Sequence, residues 1–189
     1  MKVMIDEIRS VLKTGEVDAT QVRLIQEVVM DAMETMVERV SGRDFEAGRY
    51  LLYKDQDFGF VVMMLVWAPG QQTPIHGHGT WGVEAVIKNR VRVTNYCCET
   101  LEAKELGSVV LPPGSVAYVL PPDADIHKVE HFGGPQAITI HVYGKELLEN
   151  LVFVRGVGLK GMPCSVKNLP AELDWFYDLK WSSSEMPTA

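Results

Sequence analysis

The sequence contains little cysteine and little histidine, with three cysteines and five histidines among 189 residues. A small, odd number of cysteines is typical of a reducing compartment and argues against a disulfide framework. Cys97 and Cys98 are adjacent, so on a strand their side chains point to opposite faces and make a poor two-thiolate metal clip. We therefore interpret this pair as ordinary strand or loop residues.

Several other features that would indicate a partner are missing. The net charge is −7, the pI is about 5.2 and no stretch is strongly basic, which argues against nucleic acid as the main partner. No apolar run is long enough to span a bilayer, and the opening MKVMIDEIRS lacks the apolar core of a signal peptide. There is no glycine-rich phosphate loop. We expect a cytoplasmic protein with no membrane or nucleic-acid partner.

The order of the patterned segments predicts a mainly β fold. Helical periodicity covers residues 3–13 and a second stretch from a cap at Asp18 or Thr20 to Gly42. From about residue 48, short β-rich runs alternate with Gly/Pro turns, a pattern typical of a sandwich or barrel. We predict one domain over 1–189, with two N-terminal helices in 1–45, a β-barrel in 46–160 and a C-terminal segment, 161–189, wrapping back onto the barrel.

The histidines are clustered, and two of them stand one residue apart in the stretch PIHGHGTWGVE. Residues i and i+2 of a strand face the same side, so His76 and His78 are predicted to point together into the barrel. Two converging imidazoles suit a first-row transition metal. Without further context, two polar residues at a strand edge explain the pair equally well.

The surrounding residues resemble the cupin motifs. Gly70, then five residues, then His76-Gly-His78 resembles the opening of the first motif. The turn at Pro112-Pro113-Gly114, followed by DIHKVEH with His127, resembles the second. The resemblance implies a double-stranded β-helix, or jelly-roll barrel, with His76, His78 and His127 as metal ligands.

The stretch from about residue 45 to about residue 145 resembles the thiol dioxygenases, the family of cysteine dioxygenase and bacterial 3-mercaptopropionate dioxygenase. The similarity lies in VWAPGQQTPIHGHGTWGVEAVIKN, in IHKVEH and in TIHVYG. It implies Fe(II) as the cofactor, and addition of O2 to a small thiol carboxylate to give a sulfinic acid. It also implies that Thr139, His141 and Tyr143 form the hydrogen-bonded row that this family builds from Ser, His and Tyr, with Tyr143 donating into the site.

The sequence departs from these families at three positions. Gly82 stands where animal cysteine dioxygenases carry the cysteine that crosslinks to the tyrosine, so we predict no crosslink. Gly82 and Val83 also occupy the place of the usual cupin glutamate, which leaves three neutral ligands. Thr139 replaces the family's serine. Glu84 is open to two interpretations, a solvent-exposed or ion-paired residue or a residue of the site.

The resemblance offers two arginines for the substrate carboxylate. Arg49 lies near the place used by cysteine dioxygenases, and Arg155 lies near the place used by the mercaptopropionate enzymes. Two alternative functions remain, a metal-dependent cupin oxygenase acting on a non-thiol substrate and a non-catalytic metal-binding cupin. We expect a monomer or small homo-oligomer that takes only a small thiol and O2.

Overall fold

The computed structural model describes residues 1–98, 101–122, 124–165 and 167. The helices are α1 (Lys2–Leu12), α2 (Ala19–Asp31) and α3 (Met33–Val40). The first six strands are β1 (Gly48–Lys54), β2 (Val61–Trp67), β3 (His76–Gly77), β4 (Gly82–Lys88), β5 (Val91–Cys97) and β6 (Lys104–Leu111). The other five are β7 (Val116–Val119), β8 (His127–His131), β9 (Ala137–Tyr143), β10 (Glu149–Val154) and β11 (Gly158–Pro163).

The strands form two antiparallel sheets that face each other. One sheet has the order β1-β2-β9-β4-β7, and the other has the order β11-β10-β3-β8-β5-β6. Consecutive strands often lie in different sheets, as β4 and β5 do, which is the connectivity of a jelly roll. This confirms the predicted mainly β, jelly-roll barrel. The last strand reaches Pro163, three residues beyond the predicted end of the barrel.

The number of N-terminal helices differs from the prediction, because the second helical stretch is two helices that meet at Ala32. No glycine or proline stands at the break, so no local signal in the sequence marks it. Both segments pack against β4, and α2 also packs against β7. Asp18 caps α2 by accepting hydrogen bonds from the backbone N–H groups of Thr20 and Gln21.

The two faces of the five-stranded sheet have different surroundings. Outward-facing residues of β4 and β9 join a hydrophobic core with the buried faces of the helices; this core includes Val83, Ala85, Ile138, Ile140 and Val142. The residues that alternate with them face the barrel interior, where Gly82, Glu84, Thr139, His141 and Tyr143 lie. Every residue of β9 is therefore buried, on one side by apolar packing and on the other by polar groups.

The predicted C-terminal wrapping segment lies largely outside the described residues, which end with 165 and 167. No helix within the described ranges is long and apolar enough to cross a membrane.

Candidate active site

Three histidines from the six-stranded sheet meet inside the barrel. His76 on β3 is paired directly with His127 on β8, and His78 follows β3. The ring centroids of the three imidazoles lie 4.8–5.2 Å apart, and one nitrogen from each ring lies within 4.8 Å of the others. All three side chains are buried. The two histidines separated by one residue therefore do face one side, as the strand pattern predicts.

The chain fixes two of these rings by their Nδ1 atoms. Nδ1–H of His76 donates to the carbonyl oxygen of Pro74 at 3.0 Å, and Nδ1–H of His78 donates to the Asp125 carboxylate at 3.0 Å. The Asp125 carboxylate also accepts the backbone N–H groups of His78 and Gly79 at 2.8–2.9 Å. Nε2 is consequently the nitrogen left free on both rings, which is how metal-binding histidines are usually oriented.

The residue between the two histidines must be small. A Cβ at Gly77 would lie 2.9 Å from Oδ2 of Asp125 and 2.7 Å from Cδ1 of Ile126. The glycine thus permits the carboxylate to approach the backbone of the His76–His78 segment. Burial alone raises the pKa of Asp125, but hydrogen bonds from the His78 ring and from the backbone of Gly79 and His78 outweigh it, and this pKa is lowered.

The protonation of the histidines suits a metal. Burial, and then the neighbouring His78, lower the pKa of His76 to about 4. Burial also lowers the pKa of His127 well below its usual value. Neutral imidazoles are the form that binds a transition metal. The Nδ1 atom of His127 is buried and has no hydrogen-bond partner among the described residues. The three side chains therefore form a cluster that can hold a metal ion.

A hydrogen-bonded row on β9 faces the histidines from the opposite sheet. Oγ1 of Thr139 lies 2.7 Å from Nε2 of His141, and the Tyr143 hydroxyl lies 2.9 Å from Nδ1 of His141. The Tyr143 ring stacks on His78, with a centroid distance of 4.6 Å. Burial lowers the pKa of His141 well below its usual value, so this ring donates from one nitrogen and accepts at the other.

Trp67 decides which tautomer His141 adopts. Nε1–H of Trp67 donates to Oγ1 of Thr139 at 2.9 Å. If Thr139 also accepted from His141, its own buried hydroxyl hydrogen would have no acceptor in the described part of the chain, at a cost of about 1–3 kcal/mol. Thr139 therefore donates to Nε2, and Nδ1–H of His141 donates to the Tyr143 oxygen. This leaves the Tyr143 hydroxyl hydrogen free to donate into the barrel.

A cavity of about 50 Å³ lies between the histidine cluster and this row. Arg49 on β1 lines it, together with Asn150 on β10. Nε of Arg49 and Oδ1 of Asn150 are buried and lack partners among the described residues. A terminal nitrogen of Arg49 contacts the thiol of Cys164. Arg155 is exposed beyond β10 and does not line this cavity.

Glu84 lies inside the barrel rather than in solvent. It is paired with His141 across β4 and β9, and its Oε2 is 3.9 Å from Nδ1 of that ring. Its Oε1 is buried with no partner within the described ranges. Burial raises the pKa of Glu84 to about 7. Burial, with the Glu84 charge, also raises the pKa of Tyr143.

Asp125, Trp67 and Asn150 contribute polar groups to the site but were not singled out by the sequence analysis. Asp125 could have been found from the sequence. It stands two positions before the ligand histidine His127, and carboxylates commonly accept hydrogen bonds from metal-binding histidines. Trp67 and Asn150 reach the cavity only because β2 and β10 pair with β9 and β3. Those pairings cannot be read from the neighbourhood of either residue.

No protein-family model matches the sequence. Among solved structures, an oxalate oxidase in complex with glycolate is 20% identical over 46% of this chain and 42% of its own, with a TM-score of 0.39. A Cupin 2 conserved barrel domain protein from Salinispora arenicola is 18% identical over 52% of this chain and 75% of its own, with a TM-score of 0.39. Oxalate decarboxylase from Bacillus subtilis is 20% identical over 58% and 29%, with a TM-score of 0.44. The matched region thus spans less than half of the oxalate oxidase chain.

Proposed function

We propose that this protein is an Fe(II)-dependent thiol dioxygenase that converts a small thiol carboxylate into its sulfinic acid. Both atoms of O2 become bonded to the sulfur, and the thiol hydrogen is retained by the product acid. One observation carries the proposal. The three histidines of the cluster, His141 and Tyr143 of the row on β9, and the partly unpaired Arg49 line the same cavity of about 50 Å³.

The surroundings of Arg49 favour a substrate that carries a carboxylate. Its Nε–H is buried without an acceptor among the residues described, and its contact with Cys164 is to a weak acceptor. Burial lowers the pKa of Arg49, but a guanidinium keeps its charge at neutral pH. A buried cation with unpaired donors is unfavourable until an anion accepts from it, and a carboxylate matches the fork of an arginine. Arg49 is thus suited to bind the substrate carboxylate.

The histidine cluster would hold the metal through His76, His78 and His127. When bound, an Fe(II) ion there would supply open positions and redox chemistry for a thiol and O2. The opposite sheet supplies the proton donor. The free hydroxyl hydrogen of Tyr143 can donate to a reacting atom beside His78, because the Tyr143 ring stacks on that histidine. His141 and Thr139 hold this hydroxyl in place.

The small volume of the cavity restricts the substrate. Leu65, Val129 and Trp67 supply the apolar part of its lining between the polar groups. A bound molecule that displaces water from the cavity would interact more strongly with Arg49 and Tyr143. A compact thiol with its carboxylate on Arg49 and its sulfur toward the histidines fits this arrangement, which supplies orientation as well as binding.

The proposal is tested by reconstituting the protein anaerobically with Fe(II) and following O2 uptake with cysteine, 3-mercaptopropionate, cysteamine and mercaptosuccinate. Uptake matched by sulfinate formation with a carboxylate-bearing thiol is the expected result. His78→Ala should lose both iron and activity. His131→Gln is the matched control, because His131 bonds to Gly70 and Pro135 and is not part of the cluster. Iron-loaded protein that is inactive with every thiol would refute the proposal and favour a non-thiol substrate.

A further inference from the structure

The barrel contains a second and larger cavity, which we call the Glu84 chamber. It has a volume of about 320 Å³, against about 50 Å³ for the cavity at Arg49. Its wall is formed by β4 and β7 from one sheet and by β5, β6 and β8 from the other. His127 lines both cavities and so stands between them. The volume falls within the usual range for sites that bind small molecules.

Most of the Glu84 chamber is apolar. Its lining includes Val93, Leu106, Val109, Leu111, Val119 and Ile126. Leu106 and Val109 lie on the edge strand β6 and are 61% and 50% exposed, so the chamber reaches the surface there. An apolar pocket with a few converging polar groups is the common form of a binding site for a small organic molecule.

The carboxylate of Glu84 is the polar group that distinguishes the chamber. Other buried carboxylates in the described chain have full sets of partners, as Asp55 has with Arg9, Tyr53 and two backbone N–H groups. Oε1 of Glu84 has none there, and Oε2 lies 3.9 Å from Nδ1 of the neutral His141, beyond hydrogen-bond distance. Burying such a group without a donor is unfavourable, so the side chain is arranged for a donor that comes from outside the chain.

We propose that the Glu84 chamber binds a small apolar molecule that carries one hydrogen-bond-donating head, an amine or a hydroxyl. The head pairs with Glu84, and the apolar body packs against Val93, Leu106 and Val109. A carboxylate head is disfavoured, because it meets the Glu84 carboxylate and finds no cation in the lining, whose other polar side chains are Asn95, Tyr96, Tyr118 and His127. The chamber is thus opposite in charge preference to the Arg49 cavity. This assignment is independent of the proposed dioxygenation.

The test uses metal-free protein, so that it does not depend on iron or on turnover. Binding of hexylamine, 1-hexanol and hexanoate is measured by titration calorimetry and by NMR shifts of the methyl groups that line the chamber. We expect hexylamine and 1-hexanol to bind and hexanoate to bind about ten-fold more weakly or worse, the effect of losing one charge-assisted hydrogen bond. Equal binding of all three, or binding of none, would overturn the proposal.

Two variants and one control localise the binding. Glu84→Gln should weaken the binding of hexylamine about ten-fold. The fold should stay intact, because the substitution removes a carboxylate that has no partner for Oε1 among the described residues. Ala117→Leu should fill the chamber, since Ala117 lies opposite Glu84 on β7, and should abolish binding of both neutral and cationic probes. Arg49→Lys alters the other cavity and should leave hexylamine binding unchanged. Unchanged binding in both chamber variants, or loss of binding in the control, would place the ligand elsewhere.

Discussion

Gly82 and Tyr143 lie opposite each other on β4 and β9, and the absence of a side chain at Gly82 makes room for the tyrosine ring. A Cβ at this position would lie 2.7 Å from Cδ1 and 2.9 Å from Cε1 of Tyr143. The residue that we expected to exclude a thioether crosslink is therefore also the residue that sets the position of the ring. The hydroxyl hydrogen of Tyr143 can reach the histidine cluster only because the ring is placed there.

Gly82→Ala should displace Tyr143 and slow turnover by about ten-fold or more, because a misplaced donor near the reacting atoms is costly. Metal content should not change, since Gly82 contacts none of the ligand residues directly. Steady-state O2 uptake and metal analysis are the measurements. Gly107→Ala is the control, because a Cβ at Gly107 meets no atom of the described residues within 4 Å. A fully active Gly82→Ala variant would show that the ring position is not critical.

Thr139→Val should lower the turnover number by about ten-fold while Thr139→Ser stays close to the parent. Valine removes the hydroxyl that donates to His141, leaves Nε1–H of Trp67 buried without its acceptor and frees His141 to adopt the other tautomer. Serine keeps the hydroxyl and loses only a methyl group. Metal content measured in both variants separates an effect on the row from an effect on the ligands. Equal activities for valine and serine would assign Thr139 a packing role alone.

Asp125→Asn should weaken metal binding by about 10–100-fold, the usual cost of removing the carboxylate that orients a ligand histidine. Three donors, the His78 ring and two backbone N–H groups, lose part of their acceptor in this variant. Competition with a chromophoric chelator gives the affinity. Glu130→Gln is the control, because that carboxylate pairs with Lys128 and touches no ligand. An unchanged affinity would mean that β3 alone orients His78.

The barrel and the shared face of His76 and His78 could be predicted because both depend on short-range patterns, whereas His127 was added to them only by the resemblance to the cupin motifs. Alternation along a strand determines which side chains share a face, so TIHVYG predicts a common face for Thr139, His141 and Tyr143, and these three form a hydrogen-bonded row. The same alternation predicts that Glu84 faces the barrel interior, although its neighbours in the sequence do not exclude a bulge. Pairing with His141 across the sheet resolves this ambiguity.

Features that depend on the packing of distant strands could not be predicted. No residue at the break between α2 and α3 marks it in the sequence. Trp67 reaches Thr139 only because β2 pairs with β9. The Glu84 chamber requires five strands to enclose one space. Sequence patterns give the face of a residue, but not the strand across from it.

Arg49→Gln should raise the KM for 3-mercaptopropionate by about 10–100-fold, which corresponds to the loss of charged hydrogen bonds to its carboxylate. The KM for cysteamine, which has no carboxylate, should change little. O2 uptake with both thiols gives the comparison. Arg155→Gln is the matched control, because Arg155 is exposed and lies away from the cavity lining. An effect of Arg155→Gln without one from Arg49→Gln would transfer the carboxylate site to Arg155.

Glu84→Gln should stabilise the metal-free protein, and by more at high pH than at low pH. The pKa of Glu84 is about 7 in the folded chain against 4.5 for an ordinary glutamate. Between these values the folded state retains a proton that the unfolded state releases, so the free energy of unfolding of the parent falls as pH rises through this window and levels off above it. Glutamine does not titrate and escapes this loss. The difference in free energy of unfolding between variant and parent should therefore grow by about 2–3 kcal/mol between pH 5 and pH 8.

Urea denaturation of both proteins at several pH values measures this difference, with Glu38→Gln as an exposed control. Parallel stability curves for Glu84→Gln and the parent would mean that the Glu84 carboxyl is solvated in the folded protein.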